Sequence, residues 1–174
     1  MATNIQTLKL TKIKEVVFSA VFTALAVYTP MILHYFGGAE AGKKFLPMPF
    51  FVLAAGLLLG WRAGLATGLF SPIVSFLLTG MPFLNILPII IVQLSAFGFF
   101  AGILRKKYNI FFSLAAVVIL GLVFTGLAVW VFSEMNAFSY VIGVARIGWI
   151  GIFAQFVFLP IFVKLLKKHK LSVY

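Results

Sequence analysis

Apolar residues run along this chain in long blocks rather than in the strict alternation of a half-buried strand, and the interruptions fall at Gly, Pro, Lys and Arg. These breaks predict six helical segments, at about residues 14–36, 46–60, 62–79, 84–104, 109–132 and 142–166. A helix needs roughly 20 mostly apolar residues to cross a bilayer, whereas a membrane barrel would show alternating segments of roughly 10, which are missing here. The pattern predicts an all-α fold, a single integral membrane domain over residues 1–174 built from six transmembrane helices. The second and third segments are the shortest and meet at Gly60-Trp61-Arg62, which reads as a tight turn. Gly56, Gly60, Gly64 and Gly68 recur every four residues across this pair. That spacing lets helix backbones approach closely in lipid, so a packed hairpin is expected.

Composition agrees, with 63% apolar and 10% charged residues and a mean hydropathy of +1.17. The chain has no cysteine, which excludes disulfides, thiolate metal sites and cysteine nucleophiles. A net charge of +11 in a soluble protein would suggest nucleic acid. Here the charges cluster beside apolar runs, the arrangement expected for topology control and contact with membrane lipid, and nucleic acid is not an expected partner. With a cytoplasmic N-terminus, Lys9, Lys12, Lys14, Arg62, Arg105, Lys106, Lys107, Lys164, Lys167, Lys168 and Lys170 share one side. Only Lys43, Lys44 and Arg146 face the other, so the positive-inside rule predicts both termini in the cytoplasm. The run Val16 to Leu33 follows lysines as a signal peptide would but lacks a small-residue cleavage site, and is expected to be a retained helix.

On this topology HYFGGAEAGKKFLPMP, residues 34–49, is an external loop. Its glycines would let it bend and Pro47 and Pro49 would stiffen its return to the membrane, a combination suited to a lid. The apolar end, with Phe45 and Met48, is expected to touch a ligand more than the lysines do.

Chemistry is sparse. The segment cores hold no Asp, Glu, Lys or His, and the two histidines, His34 and His169, are too far apart for a paired metal site. No HExxH, GxSxG or phosphate-binding glycine loop is present, so neither an enzyme, nor a bound cofactor, nor ATP hydrolysis by this chain is expected. An ion-coupled transporter usually buries a carboxylate near the midplane; without one, uphill transport would draw on an outside energy source.

What remains are neutral polar and aromatic residues. Asn85 and Gln93 lie eight residues apart in the fourth segment, about 12 Å along a helix. Trp130, Glu134, Asn136 and Tyr140 bracket the connection between the fifth and sixth segments, and Arg146 and Trp149, three apart, share a helical face. With Phe45 and Met48, the residues Asn85, Gln93, Trp130, Asn136, Tyr140, Arg146 and Trp149 form a candidate outward-facing pocket. Each has a structural alternative. The tryptophans and Tyr140 suit an interfacial belt, Asn85 suits a helix cap, Gln93 and Gln155 suit hydrogen bonds between helices, and Arg146 suits a pair with Glu134 or a lipid headgroup. Arg146 can also grip a carboxylate or phosphate through two parallel hydrogen bonds.

Two motifs carry a family resemblance. AVFTA places Ala20 and Ala24 in an AxxxA pattern in the first segment, and LLLGWRAGL at the Gly60 turn is close to a LLLGPRAGA turn, with Trp61 in place of the proline. With the helix count and missing coupling carboxylate, the chain resembles the substrate-binding S components of energy-coupling factor (ECF) transporters. The resemblance implies a multi-pass protein of a prokaryotic cell membrane that captures a vitamin or cofactor precursor from outside. It would be energised by a transmembrane T subunit and two cytoplasmic ATPase subunits. Ala20 and Ala24 become expected partner contacts, residues 34–49 the lid, and the external lysines and Arg146 favour a neutral or anionic ligand. The alternative is a self-sufficient facilitator or channel for a small solute.

Overall fold

The computed structural model describes the backbone of residues 12–170, and side chains there except at 12, 33, 34, 36–45 and 167–170. Phe45, His34, Lys43 and Lys44 therefore have no described side chains, and Lys9 lies outside the described residues, as do the side chains of His169, Lys167, Lys168 and Lys170. The described chain forms six helices and no strand: α1 (Lys12–Phe45), α2 (Pro47–Leu59), α3 (Trp61–Thr79), α4 (Leu87–Leu104), α5 (Ile110–Phe132) and α6 (Ala137–Lys170). This is an all-α membrane bundle. Five stretches are long and apolar enough to cross a bilayer: Ile13–Ile32, all of α3, α4 and α5, and Ala137–Leu166.

The exception is α2. Its 13 residues measure about 20 Å, short of the ~30 Å hydrocarbon core. Every residue from Val52 to Leu59 is buried, because α1, α3, α4 and α6 all pack against it. A helix covered on all sides needs no polar face, and α2 has none. Its Val52, Leu53, Leu57 and Leu58, with Leu114 and Val117 of α5 and Leu159 and Val163 of α6, make up half of the main core.

The glycines explain the tight centre. Gly68 of α3 lies against Leu94 of α4, Gly64 against Gly98, and Trp61 against Gly102, an antiparallel register in which one helix's numbering rises as the other's falls. Gly56 of α2 joins the same seam: a Cβ on it would stand 2.5 Å from the Gly98 carbonyl oxygen. The expected hairpin glycines thus serve a three-helix junction whose α4 partners were not foreseen. Gly60 forms the α2–α3 turn at φ +103°, a backbone region that suits glycine alone. Trp61, beside it, meets Phe99 edge-on at 5.6 Å and carries the Arg62 guanidinium 5.3 Å from its ring.

Because Gly102 abuts Trp61, Arg62 and the basic run 105–107 share one end of the bundle. Arg105 is buried there, donating from Nη1 to the Tyr108 carbonyl at 2.9 Å, while its Nε has no partner. Burial lowers its pKa, yet an arginine starts so high that it stays cationic, at the C-terminal end of α4 where the helix dipole favours positive charge.

Three expected boundaries shift. The stretch 34–45, expected as a loop, is helical, and α1 and α2 are joined by one residue, Leu46, at φ 49°, ψ 50°. Glycines cost a helix only about 1 kcal/mol each, which the rest of α1 absorbs; the break comes where Pro47 forbids the α conformation to the residue before it. The helix α6 begins at Ala137, five residues earlier than expected, because the Asn136 side chain accepts from the Ser139 N–H at 3.0 Å and caps it. The helix α4 begins at Leu87 rather than 84. Its N-cap is Ile86 with no side-chain cap, the turn being closed by Ile86 and Leu87 N–H groups on the Phe83 carbonyl, both at 3.0 Å. Asn85 is exposed and does not cap it.

Candidate functional site

Two concavities stand out, one inside the bundle and one on its surface. The inner one, a cavity of about 60 Å³, lies where α4, α5 and α6 meet the α1–α2 junction. Gln93 and Phe97 of α4, Val118 and Leu122 of α5, and Val144, Ile152 and Gln155 of α6 form its walls, with Leu46 and Pro49 across one side. Leu46 is held there from two directions: the Gln155 Nε2 donates to its carbonyl at 3.4 Å, and its side chain fills the space a Cβ on Gly148 would need, 2.8 Å away. Gly148 and Gln155 bracket the middle of the apolar run Ala137–Leu166, so the junction and the cavity lie deep in the span rather than at its rim.

The polar content of this cavity is two amides. Gln155 is 4% exposed, and the bond to Leu46 is its one side-chain hydrogen bond with the described residues; the half-buried Gln93 makes none with them. No charged residue among those described lines the space. An amide in a membrane interior without a full set of partners is costly.

The outer concavity is an open groove of about 800 Å³ between α1 and α3. Its α1 wall is the small-residue face Ser19, Ala20, Thr23 and Ala24, and Ala63 and Ala66 continue it on α3, with Glu15 and Arg62 towards one end. Ser19 and Thr23 do not present free hydroxyls: Ser19 Oγ donates to the Glu15 carbonyl at 2.7 Å and Thr23 Oγ1 to that of Ser19 at 2.9 Å. Turning each hydroxyl onto its own helix leaves a shallow, mostly apolar trough. Ala20 and Ala24 are both exposed on it.

The remaining expected site residues are dispersed. Of the eight with described side chains, only Gln93 lines the cavity; Leu46 and Pro49, neighbours of Met48, line it while Met48 packs against the main core. Trp130 (77% exposed), Trp149 and Arg146 face outward, Asn136 is the α6 cap, and Tyr140 rests half-buried against Ile89, Ala128 and Val129. Phe97 was not expected at the site, and Gln155 was expected deeper than the nine, with a hydrogen bond between helices as its alternative. Gln155 is 109 residues from its partner Leu46, and no spacing in the sequence signals that meeting. Comparison with known proteins finds no family model, no curated protein and no solved structure that matches this chain.

Proposed function

We propose that the chain is the substrate-binding subunit of an ECF-type importer for a vitamin or cofactor precursor. It would sit in a prokaryotic cell membrane with both termini cytoplasmic, energised by a T subunit and two ATPases. The observation that carries this reading is the cavity deep in the span, walled by Gln93 and Gln155 and closed by the α1–α2 junction at Leu46. A capture subunit needs a closed, uncharged seat for its cargo, and a junction that can open over it. Leu46 suits such a junction: a non-glycine residue in the left-handed region stores roughly 1 kcal/mol or more, and it is tied to α6 by one long hydrogen bond and by its side chain's packing against Gly148. The groove supports the second half of the reading. Alanines four apart on an exposed helix face offer a second membrane protein close backbone contact.

The test is assembly. Ala20→Trp and Ala24→Trp place an indole in the groove without approaching the cavity, so they should abolish copurification with the T subunit and ATPases while ligand binding persists. Normal assembly of both variants refutes docking at this face. Solute uptake into liposomes by the purified chain alone, without ATP, refutes the importer reading in favour of a self-sufficient facilitator.

A further inference from the structure

Gln93 and Gln155 approach one cavity from α4 and α6, and with the described residues the two side chains make a single hydrogen bond, that of Gln155 to Leu46. Each side chain offers two N–H donors and one carbonyl acceptor. Of that capacity the fold uses one donor of Gln155, on the Leu46 carbonyl, which also accepts from the Phe50 N–H at 3.4 Å. Resting structure alone does not require this. Val or Leu at both positions would pack the same helices with no polar group to satisfy, and the surrounding wall is already Val118, Leu122, Val144 and Ile152. At 60 Å³ the space has room for about two waters, which would satisfy the amides when no solute is bound.

The lining also specifies what it excludes. Among the described side chains no Lys, Arg or His lines the cavity, and Arg146, the expected anion ligand, is exposed on α6. Against the described lining, a carboxylate or phosphate would be stripped of water with no positive charge to replace it, and an ammonium would find no carboxylate. A ligand that carries a donor and an acceptor side by side, and no charge, replaces the bridging waters bond for bond. Phe97 adds an aromatic surface for a flat ring.

From this arrangement we infer that the cavity binds the uncharged, amide-like edge of a small planar molecule, a carboxamide, lactam or ureide, between Gln93 and Gln155, and rejects its carboxylate counterparts. The inference rests on the reading of the chain as a binding subunit, and it narrows a ligand expected to be neutral or anionic to a neutral one. The cavity is smaller than such a molecule, so binding requires Leu46 and Pro49 to move outward, breaking the Gln155–Leu46 hydrogen bond and freeing that donor for the ligand.

The experiment uses the full chain in detergent and pairs of equal shape that differ in charge: nicotinamide with nicotinate, benzamide with benzoate, and pyrazinamide with pyrazinoate. Binding is measured at neutral pH by saturation-transfer NMR and thermal shift, up to about 10 mM, the weakest affinity expected of ligands this small. Each carboxamide should bind at least tenfold more tightly than its carboxylate, and Gln93→Leu or Gln155→Leu should weaken the carboxamides at least fivefold with the protein still folded. Preference for the carboxylates overturns the ligand class and leaves a binding subunit standing. Binding by neither series, or carboxamide binding indifferent to both Leu variants, overturns the cavity as the site. Co-assembly with the partner subunits, which does not involve the cavity, decides the importer reading separately.

Discussion

A single methyl group added at Gly98 tests the glycine seam that positions everything else. A Cβ at Gly98 would stand 2.9 Å from the Gly64 Cα and closer still to the Gly64 carbonyl group, against 3.4 Å for ordinary contact. What it meets is backbone, which cannot rotate aside as a side chain can. Relief requires α3 and α4 to separate by roughly 1 Å, and a gap of that size forfeits a quarter to a half of each dispersion contact it opens. The same displacement loosens the Gly68–Leu94 and Gly56–Gly98 contacts, since all three lie on one seam. Overpacking of this kind costs about 1–3 kcal/mol, from which the helix preference of Ala over Gly returns about 0.5–1 kcal/mol. Because the added methyl group meets rigid backbone, the upper part of the resulting range of about 0–2.5 kcal/mol applies, and Gly98→Ala should destabilise the protein by about 1–2.5 kcal/mol. Gly143→Ala is the internal control, since a Cβ there meets nothing within 4 Å. It should be neutral or stabilising by up to about 1 kcal/mol. Equilibrium unfolding in mixed micelles, followed by tryptophan fluorescence, reads both, with Trp61 reporting from the seam. Equal stability of Gly98→Ala and wild type, or equal destabilisation by both variants, would refute the packing argument.

Other substitutions probe the site and its frame. Gln155→Leu should raise the stability of the ligand-free protein by about 1 kcal/mol, because it removes a buried amide with an unused carbonyl while Phe50 still donates to Leu46, and the same change should weaken carboxamide binding; a fall in thermal midpoint would mark Gln155 as purely structural. Arg146→Ala should leave ligand affinity within twofold by calorimetry, since Arg146 does not line the cavity, and a tenfold loss would restore the anion-binding role expected of it. Asn109→Ala removes the side-chain acceptor that caps α5 at the Phe112 N–H, 2.8 Å away, and should cost about 1 kcal/mol in unfolding experiments.

The fold was legible where the signal is local. Blocks of apolar residues placed six helices, Gly60 marked the α2–α3 turn, and the Thr23 hydroxyl turned onto its own helix, all features set within a few residues of sequence. Helix ends misled where one residue type has two uses. Gly37, Gly38 and Gly42 read as a loop but continue α1, and Asn136 reads as a ligand but caps α6. The site was legible only in part. Gln93 stands out as a polar residue in an apolar run, but its convergence with Gln155, Leu46 and Phe97 depends on how four helices cross. The α4 half of the seam, Gly98 and Gly102, has the same four-residue spacing as Gly56 to Gly68 and escaped notice because it lies outside the hairpin.

The short, enclosed α2 also bears on how the molecule is made. Thirteen residues opening with two prolines are a poor signal for insertion into a bilayer as an independent segment, so α2 is expected to enter as one arm of a hairpin with α3, folded at Gly60. Its seat is built mostly from later sequence: Gly98 and Ala101 of α4 and Leu159 and Val163 of α6 leave the ribosome after it. The centre of the bundle is thus among the first parts synthesised and the last to be enclosed, and until α6 arrives the inner cavity has no second glutamine.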